Sequence, residues 1–334
     1  MRAREIVLAN IDHTGAPRCG MNFGDGRIND FLSCGLDLVG YEQRRWRKGK
    51  LEYYDDEWGN VWVRMIDGSR KGEIYRPVIE DWCQLDDLVV PDYSHPDCGA
   101  RMRWLFAQPT DKFRLAHIGG WIFDNARYLR KMEIYFCDMA LYPDELDRLH
   151  KMVAQVYESK IHLSGQAGAD GIVIGEDLGT QTGLLFSPGM FRRFFKTLYT
   201  ELLAIAHDYG MKVFFHSCGM NWEILPDLLD AGMDVFQFDQ PALYDMPELA
   251  ALLRERQAAL WSPVDIQQIL PTGDRALIEA GAHRMYDLFE GGLICKNYPD
   301  LHGIGVEREW DMWAYEALCR RAGIAVLTSQ EDVI

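Results

Sequence analysis

A histidine and a cysteine one residue apart, His216 and Cys218, close the segment KVFFHSCGM, and Cys295 lies far downstream in GGLICKNYPD. Imidazole nitrogen and thiolate sulfur are zinc ligands, and catalytic zinc sites keep three protein ligands with one open position. Two cysteines and one histidine fit that count. Thiolates are too soft for magnesium or calcium, and they favour zinc over manganese. Side chains alternate along a strand, so a His-x-Cys pair at a strand end points both groups to one face. Cys295 can join them only where strands close into a common mouth. The expected metal site is therefore Zn2+ held by His216, Cys218 and Cys295.

Other polar groups fall at the same kind of position. Glu176, in IVIGEDLGTQTG, ends a strand and is expected to serve as a fourth ligand, a proton handler or a carboxylate orienting His216; capping a helix is the plainer alternative. Asn22 near the end of the first strand, Trp121 after a Gly-Gly pair, and Asp239 in DVFQFDQ are expected to contact substrate; a turn role for Asn22 and barrel-to-helix packing for Trp121 are the plainer alternatives. His13, His95, His117, His150, His162, His207, His283 and His302 lack a companion at ligand spacing and read as surface or core residues.

These positions require elements to hold them. FRLAHIGG (113–120), DGIVIGED (170–177), KVFFHS (212–217), DVFQFDQ (234–240), ALWSPVD (259–265) and GLICKN (292–297) are continuously apolar, as strands covered on both faces are. PRCGMNF (17–23) and GLDLVGY (35–41) supply two more upstream. Helices lie between them. One is expected over 143–169, and another over 187–210 with Ser187 as N-cap, Pro188 in the first turn and Gly210 past the end. Eight strands in β-then-α order favour an α/β fold of the (β/α)8 type, a TIM barrel, over an open doubly wound sheet. LEYYDDEWGNVWVRMIDG (51–68) reads as a β-hairpin, so the barrel is expected to carry an insertion after its second strand, about 42–95, within one domain over 1–334. His216, Cys218, Cys295, Glu176, Asp239 and Asp265 then all sit at the carboxyl ends of strands, the rim that holds the chemistry in such barrels.

Composition narrows the partners. The 334 residues are 48% hydrophobic and 26% charged, the profile of a globular chain large enough for a sizeable core. A net charge of −16 repels phosphate backbones and anionic lipid, which argues against nucleic-acid and membrane partners. No apolar run is long enough to span a bilayer, and the first residues are too polar for a secretory signal. Eight cysteines without a CxxC argue for reduced thiols, hence a cytoplasmic location.

HSCG after a VFFH strand, the EDLGTQTGLLFSP turn, AGMDVFQFD and GGLICKNYPDLHG together resemble the uroporphyrinogen decarboxylase superfamily. Within it they are similar to the zinc-dependent corrinoid methyltransferases, such as the methylcobalamin:coenzyme M enzymes, and DEWGNVW (56–62) fits that branch too. The resemblance implies a zinc enzyme moving a methyl group between a small molecule (methyl ether, thiol or thioether) and a corrinoid (cobalamin). No DxHxxG string is present, so the corrinoid is expected on a partner protein; a homodimer is the oligomeric form kept open. The decarboxylases proper carry an arginine-bearing segment after the first strand and an aspartate after the second. Here GMNFGDGR (20–27) leaves only Arg27, and Tyr41-Glu42 occupies the second place. A many-carboxylate substrate needs a cationic pocket, so a metal-free decarboxylase is the alternative, beside a barrel that binds corrinoid without chemistry.

Overall fold

The structure, a computed structural model, describes residues 1–66 and 72–327. Eight parallel strands form one sheet: β1 (Gly20–Asn22), β2 (Phe31–Gly35), β7 (Phe113–His117), β8 (Gly171–Gly175), β9 (Lys212–His216), β10 (Val235–Gln237), β11 (Ala259–Ser262) and β12 (Leu293–Lys296). Their spatial order is β1-β12-β11-β10-β9-β8-β7-β2. The seam between β1 and β2 is laced by Asp30, whose N–H donates to the Met21 carbonyl at 2.7 Å and whose carboxylate accepts from the Met21 N–H at 2.8 Å. This is the expected α/β barrel.

The insertion after the second barrel strand is larger than a hairpin. β3 (Arg45–Lys48), β4 (Leu51–Asp55), β5 (Val61–Met65) and β6 (Glu73–Arg76) form an antiparallel sheet of four strands. The expected hairpin is its central pair, with its last two residues outside those described. The second barrel strand is also misplaced by the sequence reading. It runs over 31–35, and its pairing with β7 ends at Gly35 opposite His117, where β7 turns away into Gly119-Gly120. Residues 36–41 have no strand left to pair with.

Helices α1 (Ala3–Ile11), α2 (Ala100–Phe106), α3 (Ile122–Arg130), α4 (Met132–Leu141), α5 (Pro143–Gln166), α6 (Pro188–Phe194), α7 (Lys196–Asp208), α8 (Leu225–Ala231), α9 (Met246–Glu255), α10 (Arg275–Leu288) and α11 (Arg308–Arg321) complete the described fold. Ser187 caps α6 as its sequence position suggests, accepting from the Met190 N–H. The expected single helix breaks at Phe195, whose φ of −124° departs from helical geometry and divides α6 from α7.

The barrel interior is packed below and open above. Phe31, Phe113, Phe214 and Trp261 fill it with neighbouring rings 5.5 to 6.3 Å apart, while Val7 and Ile11 of α1 join the same cluster. Aromatic plugs of this kind leave only the carboxyl ends of the strands for a ligand.

Candidate metal centre

Parity along each strand decides which side chains reach the mouth. Phe214, Val235, Ala259, Trp261 and Ile294 belong to the interior cluster. Two residues on from Phe214 is His216; two on from Val235 is Gln237; two on from Ile294 is Lys296. With Asn22 and His117 these side chains line a cavity of about 380 Å³ at the top of the barrel.

Gly175 lies beside His216 on the neighbouring strand, and a Cβ there would stand 3.0 Å from the His216 Cβ. The glycine makes room for the imidazole. Beyond the strand, Gly219 takes a left-handed φ of +80° and a Cβ on it would lie 2.4 Å from the Gly179 backbone. The loop after β9 is thereby pressed against the loop after β8. Met220 N–H donates to the Thr180 carbonyl at 2.8 Å, and Cys218 N–H donates to Asp177 Oδ1 at 3.1 Å. Buried Asn221 ties the turn from below, donating to Ser217 Oγ and the Gly219 carbonyl.

The lacing brings three ligand types together. Cys218 Sγ is 3.6 Å from His216 Nε2, and Asp177 Oδ1 is 3.7 Å from the same nitrogen. One ligand atom from each of Asp177, His216 and Cys218 lies within 4.8 Å of the others. Two ligands on one tetrahedral ion, at bonds of about 2.0–2.3 Å, stand about 3.3–3.8 Å apart. The observed spacings therefore suit a shared cation.

The state of the imidazole is settled by its neighbours. Gln237 Nε2 donates to Asp239 Oδ1 at 2.6 Å, and that carboxylate also accepts from Lys296 Nζ at 3.1 Å. The Gln237 amide must then turn its Oε1 toward His216 Nδ1, so Nδ1 carries the proton. Nε2 is left with its lone pair facing Cys218 and Asp177, the tautomer a metal needs. Burial, and then the Asp177 charge, push the Cys218 thiol well above its usual range. A cation would reverse that balance by stabilising the thiolate.

Cys295 does not take the expected place. It is fully buried, with its Sγ 3.7 Å from Cys19 Sγ, in the core between barrel and helices. Ile294 and Lys296 point inward, so the residue between them must point outward. Its thiol is pushed well up, by burial first and then by the hydrogen bond to Cys19.

The remaining expected residues divide. Asn22 lines the cavity. Asp239 is buried under Lys296 and anchors the Gln237 amide. Trp121 faces the helices, its ring 4.8 Å from Tyr157 and 5.6 Å from Tyr199, and has no exposure to a substrate. Glu176 Oε2 accepts from the Phe123 and Asp124 N–H groups at 2.8 and 3.3 Å, capping the first turn of α3. Burial and then the Asp124 charge hold its carboxyl well above the usual range. Asp265 likewise caps a turn, accepting from the Gln267 and Gln268 N–H groups. Asp177, Gln237, Lys296 and His117 were missed by the sequence reading. Period two relates the last three to residues of the barrel interior, but which face is inward is decided by the pairing of the strands; Asp177 depends on how two loops meet.

A family model, "Uroporphyrinogen decarboxylase (URO-D)", matches residues 77–293. The chain belongs to the URO-D family. No curated protein matches it by sequence. Among solved structures, a methyltransferase from Methanosarcina mazei is 16% identical with a TM-score of 0.55, covering 78% of this chain and 73% of that one. A B12-independent methionine synthase from Shewanella sp. W3-18-1 is 13% identical with a TM-score of 0.41, covering 86% and 75%. D-psicose 3-epimerase from Clostridium cellulolyticum H10 is 10% identical with a TM-score of 0.41, covering 73% and 86%. The first likeness shows that this URO-D chain shares a fold with a methyltransferase; the other two carry no argument. Among the described residues, no helix is long and apolar enough to cross a membrane.

Proposed function

We propose that this URO-D barrel is a zinc-dependent methyltransferase that moves a methyl group between a small molecule and a corrinoid carried by a partner protein. The observation that carries the reading is the convergence of His216 Nε2, Cys218 Sγ and Asp177 Oδ1 at the open end of the barrel. A nitrogen, a thiol and a carboxylate are a zinc set, and three ligands leave one position for substrate. Bound there, the metal would supply Lewis acidity to a methylated heteroatom or lower the pKa of a bound thiol. Asp177 takes the role that the sequence reading gave to Cys295.

The protein's own residues orient that site. Gln237 holds the imidazole, and Asp239 with Lys296 holds Gln237. Lys296 places a positive charge beside the mouth, its Nζ 5.6 Å from the Trp261 ring centroid. The cavity opens at the strand ends, where a corrinoid presented by another protein would have to approach. The fold of the Methanosarcina mazei methyltransferase supports the class of reaction.

The decarboxylase alternative loses the arginine that the sequence left it. Arg27 Nη1 pairs with Asp311 Oδ2 at 2.6 Å, both side chains only 4% exposed, and the guanidinium stacks on Phe23 and Tyr315. A pocket for a polycarboxylate would need that charge free.

Elemental analysis of the purified protein beside Cys218→Ser tests the site, and the visible spectrum of cobalamin during turnover tests the reaction. About one zinc per chain, absent from the variant, with methyl transfer to or from cobalamin, is expected. Full metal content with no transfer across methyl ethers, thioethers and thiols would sink the reading.

A further inference from the structure

The cavity that His216 shares with Lys296 has donors to spare. The amide oxygens in its wall are already engaged. Gln237 Oε1 faces His216 Nδ1, Asn297 Oδ1 accepts from the Gly24 N–H at 3.2 Å, and Asn29 Oδ1 accepts from the Phe31 N–H at 2.9 Å. The donors are less spent. Lys296 gives one of an ammonium's three N–H groups to Asp239 Oδ1, at 3.1 Å, and has no other hydrogen-bond partner among the described residues. Trp261, in the same wall, carries a buried indole N–H with no partner among those residues. A concave surface with unspent donors takes an acceptor, and a cation among them favours an anion.

Lys296 is built into this place. Its side chain is only 12% exposed, and its Nζ stands 5.6 Å from the Trp261 ring centroid and 6.0 Å from that of Tyr298. Rings beside a cation attract it and hold it back from solvent. Its charge is felt across the cavity. After burial, it is what holds the His117 pKa below the usual range. At the Cys218 thiol it opposes the upward push of burial and of Asp177, so it reaches the metal centre as well. Asp239 does not exhaust it, because the same carboxylate oxygen is shared with the Gln237 amide.

Methyl transfer generates the charge that such a site would hold. When a methyl carbon passes to a reduced corrinoid, its bond to the heteroatom breaks and both electrons stay on the heteroatom. The new bond to carbon takes its pair from the corrinoid, whose cobalt is formally oxidised by two electrons. A neutral donor therefore leaves as an anion, which afterwards takes a proton from water. We propose that Lys296 is a catalytic residue of this step, its ammonium group hydrogen-bonded to the departing heteroatom and stabilising the negative charge that develops there. The inference rests on the methyl-transfer reading and narrows it. A quaternary ammonium or sulfonium donor would leave without charge and would be repelled on entry.

Methanesulfonate and dimethyl sulfone test the site without turnover, since they are similar in shape and differ by one charge. In calorimetric titrations of the full chain, treated with chelator so that no metal competes for the anion, methanesulfonate binds about tenfold tighter. That preference runs against the repulsion of a chain of net charge −16. Lys296→Arg keeps it and Lys296→Met removes it. Lys296→Met/Asp239→Asn removes it too and leaves no buried carboxylate unpaired, which covers the case of a single variant that fails to fold. During turnover, Lys296→Met lowers kcat about 100-fold at normal zinc content. The loss grows with the pKa of the leaving alcohol or thiol, a trend that a merely structural lysine would not produce. No anion preference in the wild type, or one that survives both variants, overturns the inference and leaves the metal site and methyl transfer standing. An equal loss for every leaving group overturns it as well. A protein that binds the anion through Lys296 yet moves no methyl group instead sinks the methyl-transfer reading, and the catalytic role with it.

Discussion

Gln237 reaches across from β10 to hold Nδ1 of His216 on β9, and its own amide is turned by Asp239. Because a carboxylate can only accept, the direction of every hydrogen bond in this chain is determined. Replacing Gln237 with Leu frees the ring to rotate and to adopt the other tautomer. Zinc affinity is expected to fall about 10–100-fold, as for other groups that orient a metal-bound histidine. Competition against a coloured chelator measures it, and an unchanged affinity would show that the ring needs no such hold.

Cys218 and Cys295 are expected to behave oppositely when changed to Ser. The Cys218 variant loses the metal and keeps the fold. The Cys295 variant keeps the metal and loses about 1–3 kcal/mol of stability, since a hydroxyl replaces a thiol in a buried apolar wall. Zinc analysis and urea unfolding of both proteins decide the matter. Loss of zinc from the Cys295 variant would return that residue to the site.

Glu176 acts on a helix. Burial raises its pKa and so favours the neutral carboxyl, which an amide mimics; Glu176→Gln preserves the acceptor for the Phe123 and Asp124 N–H groups and shifts stability by less than about 1 kcal/mol. Glu176→Ala leaves those donors unpaired and costs about 1–3 kcal/mol. Metal content stays at wild-type level in both. A Gln variant that folds and binds zinc yet transfers no methyl group would make Glu176 part of the chemistry.

His150 sets an acid limit. It is buried with its Nε2 2.7 Å from the Tyr135 hydroxyl, and burial pulls its pKa from 6.5 down to about 3. Between those values the unfolded chain binds a proton that the folded chain refuses. Stability therefore falls as pH drops below about 6.5, by up to about 1.4 kcal/mol per pH unit from this group. His150→Phe flattens the slope between pH 6 and 4 in urea midpoints, whatever its effect at pH 7. An unaltered slope would mean the imidazole takes no part.

The barrel was legible because its strands are short apolar runs alternating with amphipathic helices, a rhythm that survives without any long-range information. His216 and Cys218 were legible for the same local reason: two residues apart at a strand end share a face. Parity along LICKN is legible too, but its sense is not. A strand buried on both sides hides which face is inward, and only the pairing of Trp261 with Ile294 reveals that Lys296 enters the mouth while Cys295 turns to the helices. Asp177 lay beyond any such rule. Its carboxylate meets Cys218 because Gly219 and Gly179 let two loops touch, an encounter of segments forty residues apart in the chain. Local order writes which residues share a strand face; which strand faces and loops converge is decided when the sheet closes, because closure alone brings distant backbone into contact.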